Sequence, residues 1–180
     1  MGRCLPANRR KCYPWHSAIF CSKAMRRAVE HRPRGRWPEQ EAAGNVSLAF
    51  DDRHRRRLKL ETVEGEALLL DLPEAVAMAE GDGLRCADGG WVKVTARPEP
   101  VLRIAAAAPE LVARLAWHLG NRHTPADIRV NAILIRPDHV LAEMLRNLGG
   151  IVTEAVEPFQ PEGGAYSGHA QDRSRWHEHP

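Results

Sequence analysis

The chain has 180 residues, 43% of them hydrophobic and 27% charged, with 26 Lys and Arg against 23 Asp and Glu. This is ordinary globular composition, with room for one domain of average size or two small ones. No stretch approaches the ~18 apolar residues of a membrane helix, and the apolar run from Ala18 to Cys21 is far shorter than the ~7–15 residues of a secretory leader. A soluble, cytoplasmic protein without a membrane partner is therefore expected.

The net charge of +3 is unevenly spread. Residues 1–36 hold ten Lys and Arg and one acid, which leaves sixteen basic and twenty-two acidic side chains for the other 144 residues. Rich in Arg, broken by Pro33 and Pro38 and lacking a sustained apolar period, residues 1–43 read as a disordered basic extension. Cys4, Cys12, Cys21 and His16 lie within it. Their spacings are not those of zinc sites, whose ligands pair about two to four residues apart. The MRRAVEHRP run from Met25 also reads as a protein start, so translation from Met1 or from Met25 stays open.

Residues 44–98 carry a β pattern. Val46, Leu48 and Phe50 alternate with smaller or polar residues, and Asp51-Asp52 then supplies turn chemistry. Leu58 and Leu60 resume the alternation, Glu64-Gly65 suits a hairpin loop, and Ala67 to Leu70 form the next strand. Gly81-Asp82-Gly83 and Asp88-Gly89-Gly90 turn the chain before Trp91 to Val94. Five or six short strands make a small sandwich or curled sheet. The Arg53 to Lys59 run is its most basic surface, either a solvated hairpin or a docking face for an acidic partner. Cys86 reads as an inert small hydrophobe.

After Pro98-Glu99-Pro100, read as a stiff linker, the period changes over residues 101–160. Val101 to Ile104 is a strand. Pro109 opens a helix, where its missing N–H costs nothing, and Leu111, Val112, Leu115 and Leu119 follow at helical spacing up to Gly120. Asp127 to Val130 and Ile133 to Arg136 are short strands. Asp138 is the N-cap of a second helix, with Val140, Leu141, Met144, Leu145 and Leu148 on one face and Gly149-Gly150 at its end. Ile151 to Val156 closes with a strand. The order βαββαβ is that of the ferredoxin-like unit, so the whole chain is expected to be α+β. Two helices on one face leave the other face for the first domain or another subunit to cover. Residues 161–180 read as a flexible tail containing His169, His177 and His179.

Three words in series mark the second domain: HLGNRHTP (His118 to Pro125), DHVLAEMLRNLG (Asp138 to Gly149) and PFQPEGGAY (Pro158 to Tyr166). In this order and spacing they resemble the urease accessory protein UreE family of nickel metallochaperones. The resemblance implies a non-enzymatic homodimer that binds Ni(II) and delivers it to urease apoprotein, working with other urease accessory proteins including a GTPase. It further implies that His123, of the GNRH word, binds the metal together with its symmetry mate. His139 is carried over as a second metal residue, although Arg136-Pro137 stands where some relatives have an additional histidine. His169, His177 and His179 stand in place of the histidine-rich tail of relatives. The β domain is implied to be a peptide- or protein-binding module.

Residue chemistry agrees with a metal carrier without fixing the metal. Neutral imidazole suits Ni(II), Cu(II) and Zn(II) alike, and raw affinity favours copper over nickel. A delivery protein must also release its ion, which favours few, exposed ligands over a closed cysteine cage. There is no phosphate-cradling G-x-x-x-x-G-K-[ST] word and no carboxylate pair that marks acid–base catalysis. Two other readings remain: an assembly chaperone whose metal binding is incidental, and a nucleic-acid-binding protein that uses the basic arm. The second is not expected.

Overall fold

Alternate side chains are buried along β2 (Ala42–Leu48) and β6 (Trp91–Ala96), with Val46 and Leu48 inward on one and Val92, Val94 and Ala96 on the other. Period-two burial is what a strand with one face on a core requires. In the computed structural model, which describes residues 25–163, these strands join β1 (Arg26–Arg32), β3 (His54–Glu61), β4 (Ala67–Ala77) and β5 (Gly83–Cys86). The sheet order is β2-β6-β5-β1-β4-β3, with β1 parallel to β4 and β2 parallel to β6. The β3–β4 turn folds back onto the outer edge of β2, where Val63 N–H donates to the Asn45 carbonyl at 2.8 Å. The sheet is thereby curled around Leu68, Leu70, Leu84, Val92 and Val94.

Two expectations are corrected here. Residues 26–43 are not part of an extension outside the fold, because β1 lies inside the sheet between β5 and β4 with Ala28 fully buried. A single small inward residue among Arg, Glu and His gives too weak a period to be seen. Nor is Pro98–Pro100 a linker: it opens β7 (Pro98–Ala105), with Pro98 and Pro100 opposite Pro158 and Val156 of β10 (Ile151–Pro158). The prolines lie beyond the end of β9 (Ala132–Ile135), which pairs only with Leu102 to Ile104. With one neighbour, a missing N–H is tolerated.

The second sheet has the order β10-β7-β9-β8, where β8 is Ala126–Arg129, and every neighbouring pair is antiparallel. With α1 (Pro109–Gly120) and α2 (His139–Asn147) inserted, this is the ferredoxin-like arrangement. Leu115 and Leu119 of α1 and Ala142 and Leu145 of α2 cover one face, against Leu102, Ile104, Ile133 and Ile135. On the other face Val101, Leu134 and Phe159 form a separate cluster joined by Phe50 of the first domain. Burying a side chain the size of Phe159 stabilises by about 1.5–3 kcal/mol.

Phe50 meets Phe159 edge-on at 5.4 Å between ring centroids, and its N–H donates to Glu99 at 2.9 Å. Asp51 accepts from Arg136 at 2.9 Å. Arg53, expected on the basic surface, is instead buried at this joint, 4% exposed, and donates to the Phe159 carbonyl. The basic surface begins at His54.

Candidate metal-binding surface

The histidine of the GNRH word owes its position to the end of α1. Arg122 N–H donates to Leu119 and His123 N–H to Gly120, both at 3.0 Å, while the Arg122 side chain donates to the His118 carbonyl at 2.9 Å. These bonds satisfy carbonyls that a helix end leaves without intrahelical partners. The turn closes with His123 in the left-handed region at φ 53°, the one non-glycine residue with positive φ among the described residues. Histidine is among the residues that tolerate this conformation. It leaves the imidazole on an exposed loop.

His139 is the first residue of α2 and is also exposed. Asp138 caps the helix as expected, its carboxylate accepting from Leu141 N–H at 2.9 Å. Among the described residues no three His, Cys, Asp or Glu side chains come together as a group able to hold an ion. His123 and His139 are thus exposed imidazoles that belong to no closed group of this kind among the described residues. His169, His177 and His179, like Cys4, Cys12, Cys21 and His16, lie outside the described residues.

Reading the sequence missed the exposed apolar residues on these two helices. Trp117, six residues before His123, is 63% exposed, and its ring meets that of His118 edge-on at 5.0 Å. The signal was present, because Trp117 falls off the helical stripe of Leu115 and Leu119 and places a large aromatic on the outer side. On α2, Val140, Met144 and Leu148 line a shallow groove with Glu143 and Asn147. Val140, next to His139, is 62% exposed.

Two other polar groups have structural explanations. His31 Nε2 lies 2.7 Å from Asp82, whose carboxylate also accepts from the N–H groups of Arg34 and Ala79. These contacts fix the turn before β5. Cys86 is buried and burial pushes its thiol up, which disfavours the reactive thiolate. No helix among the described residues is long and apolar enough to cross a membrane.

A curled β domain fixed to a ferredoxin-like domain, with exposed imidazoles at its helix ends, defines a two-domain α+β protein. Two family descriptions cover it in tandem: the UreE urease accessory protein N-terminal domain matches residues 25–97 and the UreE C-terminal domain residues 99–180. The urease accessory protein UreE of Rhodopseudomonas palustris (strain HaA2) is 49% identical over 143 residues, 79% of this chain and 66% of that relative. The UreE of Bradyrhizobium sp. (strain BTAi1 / ATCC BAA-1182) is 49% identical over 149 residues, 82% of this chain and 72% of its own length. That of Ruegeria pomeroyi is 44% identical over 148 residues, covering 82% and 94% respectively. The chain spans about two thirds of the length of the first of these relatives. It belongs to the UreE family of urease accessory proteins, which are accessory chaperones rather than enzymes.

Proposed function

We propose that this protein binds Ni(II) as cargo and delivers it to urease apoprotein during urease maturation, acting in the cytoplasm as a homodimer. The observation that carries the reading is His123, an exposed imidazole at a helix end within a chain of the UreE family. Isologous association places a residue near the two-fold axis beside its own copy, so one open donor per chain becomes two per dimer. His139 and the tail residues His169, His177 and His179 are assigned as secondary donors that load or release the ion. Few, exposed ligands suit a carrier that must give its metal up, and Cu(II) or Zn(II) would compete for them in vitro. The recipient complex contains urease apoprotein and further accessory proteins, among them a GTPase, and the β domain is its protein-binding module.

Calorimetric nickel titration of wild type, His123→Ala and His123→Asn, with native mass measured in parallel, tests this reading. The tightest ion per dimer should vanish in both variants while the dimer persists. Unchanged affinity and stoichiometry would overturn the assignment. Removal of residues 1–24 should leave nickel uptake intact and abolish any salt-sensitive DNA binding.

A further inference from the structure

We infer that the outer edge of β3 is a docking strand for an extended segment of another protein in which acidic and apolar residues alternate. The inference rests on reading the β domain as the protein-binding module and names the place, mode and chemistry of its contact.

β3 ends the sheet, pairing with β4 on one side and with no strand of the described residues on the other. Its eight residues span ~26 Å, ample for a strand to be added through main-chain hydrogen bonds. Side chains along this edge sort by face. Leu58 and Leu60 turn toward the core but are only partly buried, on a strand that no other strand of the described residues flanks on the open side. Arg57 and Lys59 turn outward, and Arg55 and Arg56 are exposed at the irregularity where the pairing with β4 shifts register. Arg57 is 3.8 Å from Asp71, and Arg55 is 4.0 Å from Asp52. Arg56 and Lys59 have no ion-pair partner among the described residues. Arg27 of β1 and Lys59 both lie opposite Leu69 of β4, and Arg27 shares Asp71 with Arg57 at 3.6 Å, so one carboxylate serves two arginines of the outward row and Lys59 is left to a partner.

An occupant is specified by this pattern. Edge strands carrying Lys and Arg repel copies of themselves, so a second copy of this chain fits poorly. A strand of alternating acidic and apolar residues places carboxylates beside Arg57 and Lys59 and apolar side chains beside Leu58 and Leu60. The period of two makes both matches at once.

The test uses the full chain and a blocked heptapeptide of alternating Glu and Val. Peptide should bind with an affinity that falls as salt rises, perturbing the amide resonances of His54 to Glu61 and slowing their exchange. The double variant Arg57→Gln, Lys59→Gln should bind roughly tenfold more weakly, with an unchanged circular dichroism spectrum and unchanged nickel titration. A peptide with Lys for Glu, or with a central Pro, should not bind. Equal binding of the Pro peptide, equal binding to the double variant, perturbation elsewhere on the sheet, or tighter occupation of β3 by oligo-dT would each overturn the proposal. Nickel uptake is read separately, so failure at β3 is distinguishable from failure of the carrier reading.

Discussion

The guanidinium of Arg53 donates to the main-chain carbonyl of Phe159, 106 residues further along the chain. It thereby joins the start of β3 to the segment that follows β10. The same guanidinium lies 5.7 Å from the centroid of the Phe50 ring, while its buried Nε has no hydrogen-bond partner among the described residues. Burial pulls the Arg53 pKa below the ordinary guanidinium value, against the opposing pull of Glu99 and Glu80.

A buried, incompletely paired cation costs free energy that its removal returns, so two substitutions should diverge. Arg53→Ala leaves the Phe159 carbonyl without its donor and a void beside Phe50, and should destabilise by about 2–3 kcal/mol. Arg53→Met keeps most of the volume and sheds the charge, and should stay within about 1 kcal/mol of wild type. Urea unfolding checks both, and equal losses would show that the hydrogen bond outweighs the desolvation.

Gly83 lies against the face of the Trp37 indole, so closely that an added Cβ would overlap ring atoms. Trp37 cannot easily retreat: it is 7% exposed, donates to the Gly81 carbonyl at 3.1 Å and stacks on Trp91 at 5.4 Å. Gly83→Ala should cost about 2 kcal/mol through this overpacking. The checks are a lower thermal midpoint and a red shift of tryptophan emission as the Trp37–Trp91 stack opens. Trp37→Leu in the same background should recover part of the loss.

Local signals were legible in the sequence and long-range ones were not. Pro109, Gly120, Asp138 and Gly149 delimit their helices because caps and breakers act within one turn. β1 was hidden because one buried Ala28 gives no period, and its parallel pairing with β4 depends on residues some forty positions away. Arg53 was placed on the surface for the same reason, since its burial is created by Phe159. Of the candidate site, the loop position of His123 and the helix-start position of His139 could be read directly. The backbone conformation of His123 and the exposure of Trp117 required the packed helix.

Asp88 accepts from Arg26 at 2.8 Å, and this bond, with a second from Gly90 N–H, holds its carboxyl below the ordinary 3.8. A depressed folded-state pKa gives stability that is fully present above the unfolded value and is lost as pH falls through the folded one. The loss should therefore appear only below pH 3.8, and it should be small, because the Asp88 side chain is 52% exposed and solvent screens the pair. Carboxyl NMR titration of Arg26→Gln should return Asp88 toward its ordinary value, with almost no change in stability at neutral pH.

At His123 conformation and ligand chemistry can be separated, because φ is 53° whatever the side chain does. Asn tolerates the left-handed region well, so His123→Asn should remain within about 0.5 kcal/mol of wild type. Gly fits without a Cβ but gains freedom in the unfolded chain, and should also change stability by less than about 1 kcal/mol. Val is β-branched and unsuited to positive φ, so His123→Val should lose about 1–2 kcal/mol. Thermal unfolding should rank the three with Val lowest, whereas nickel affinity should fall equally in all of them. If affinity instead follows stability across the series, His123 shapes the loop and the metal is held by other groups.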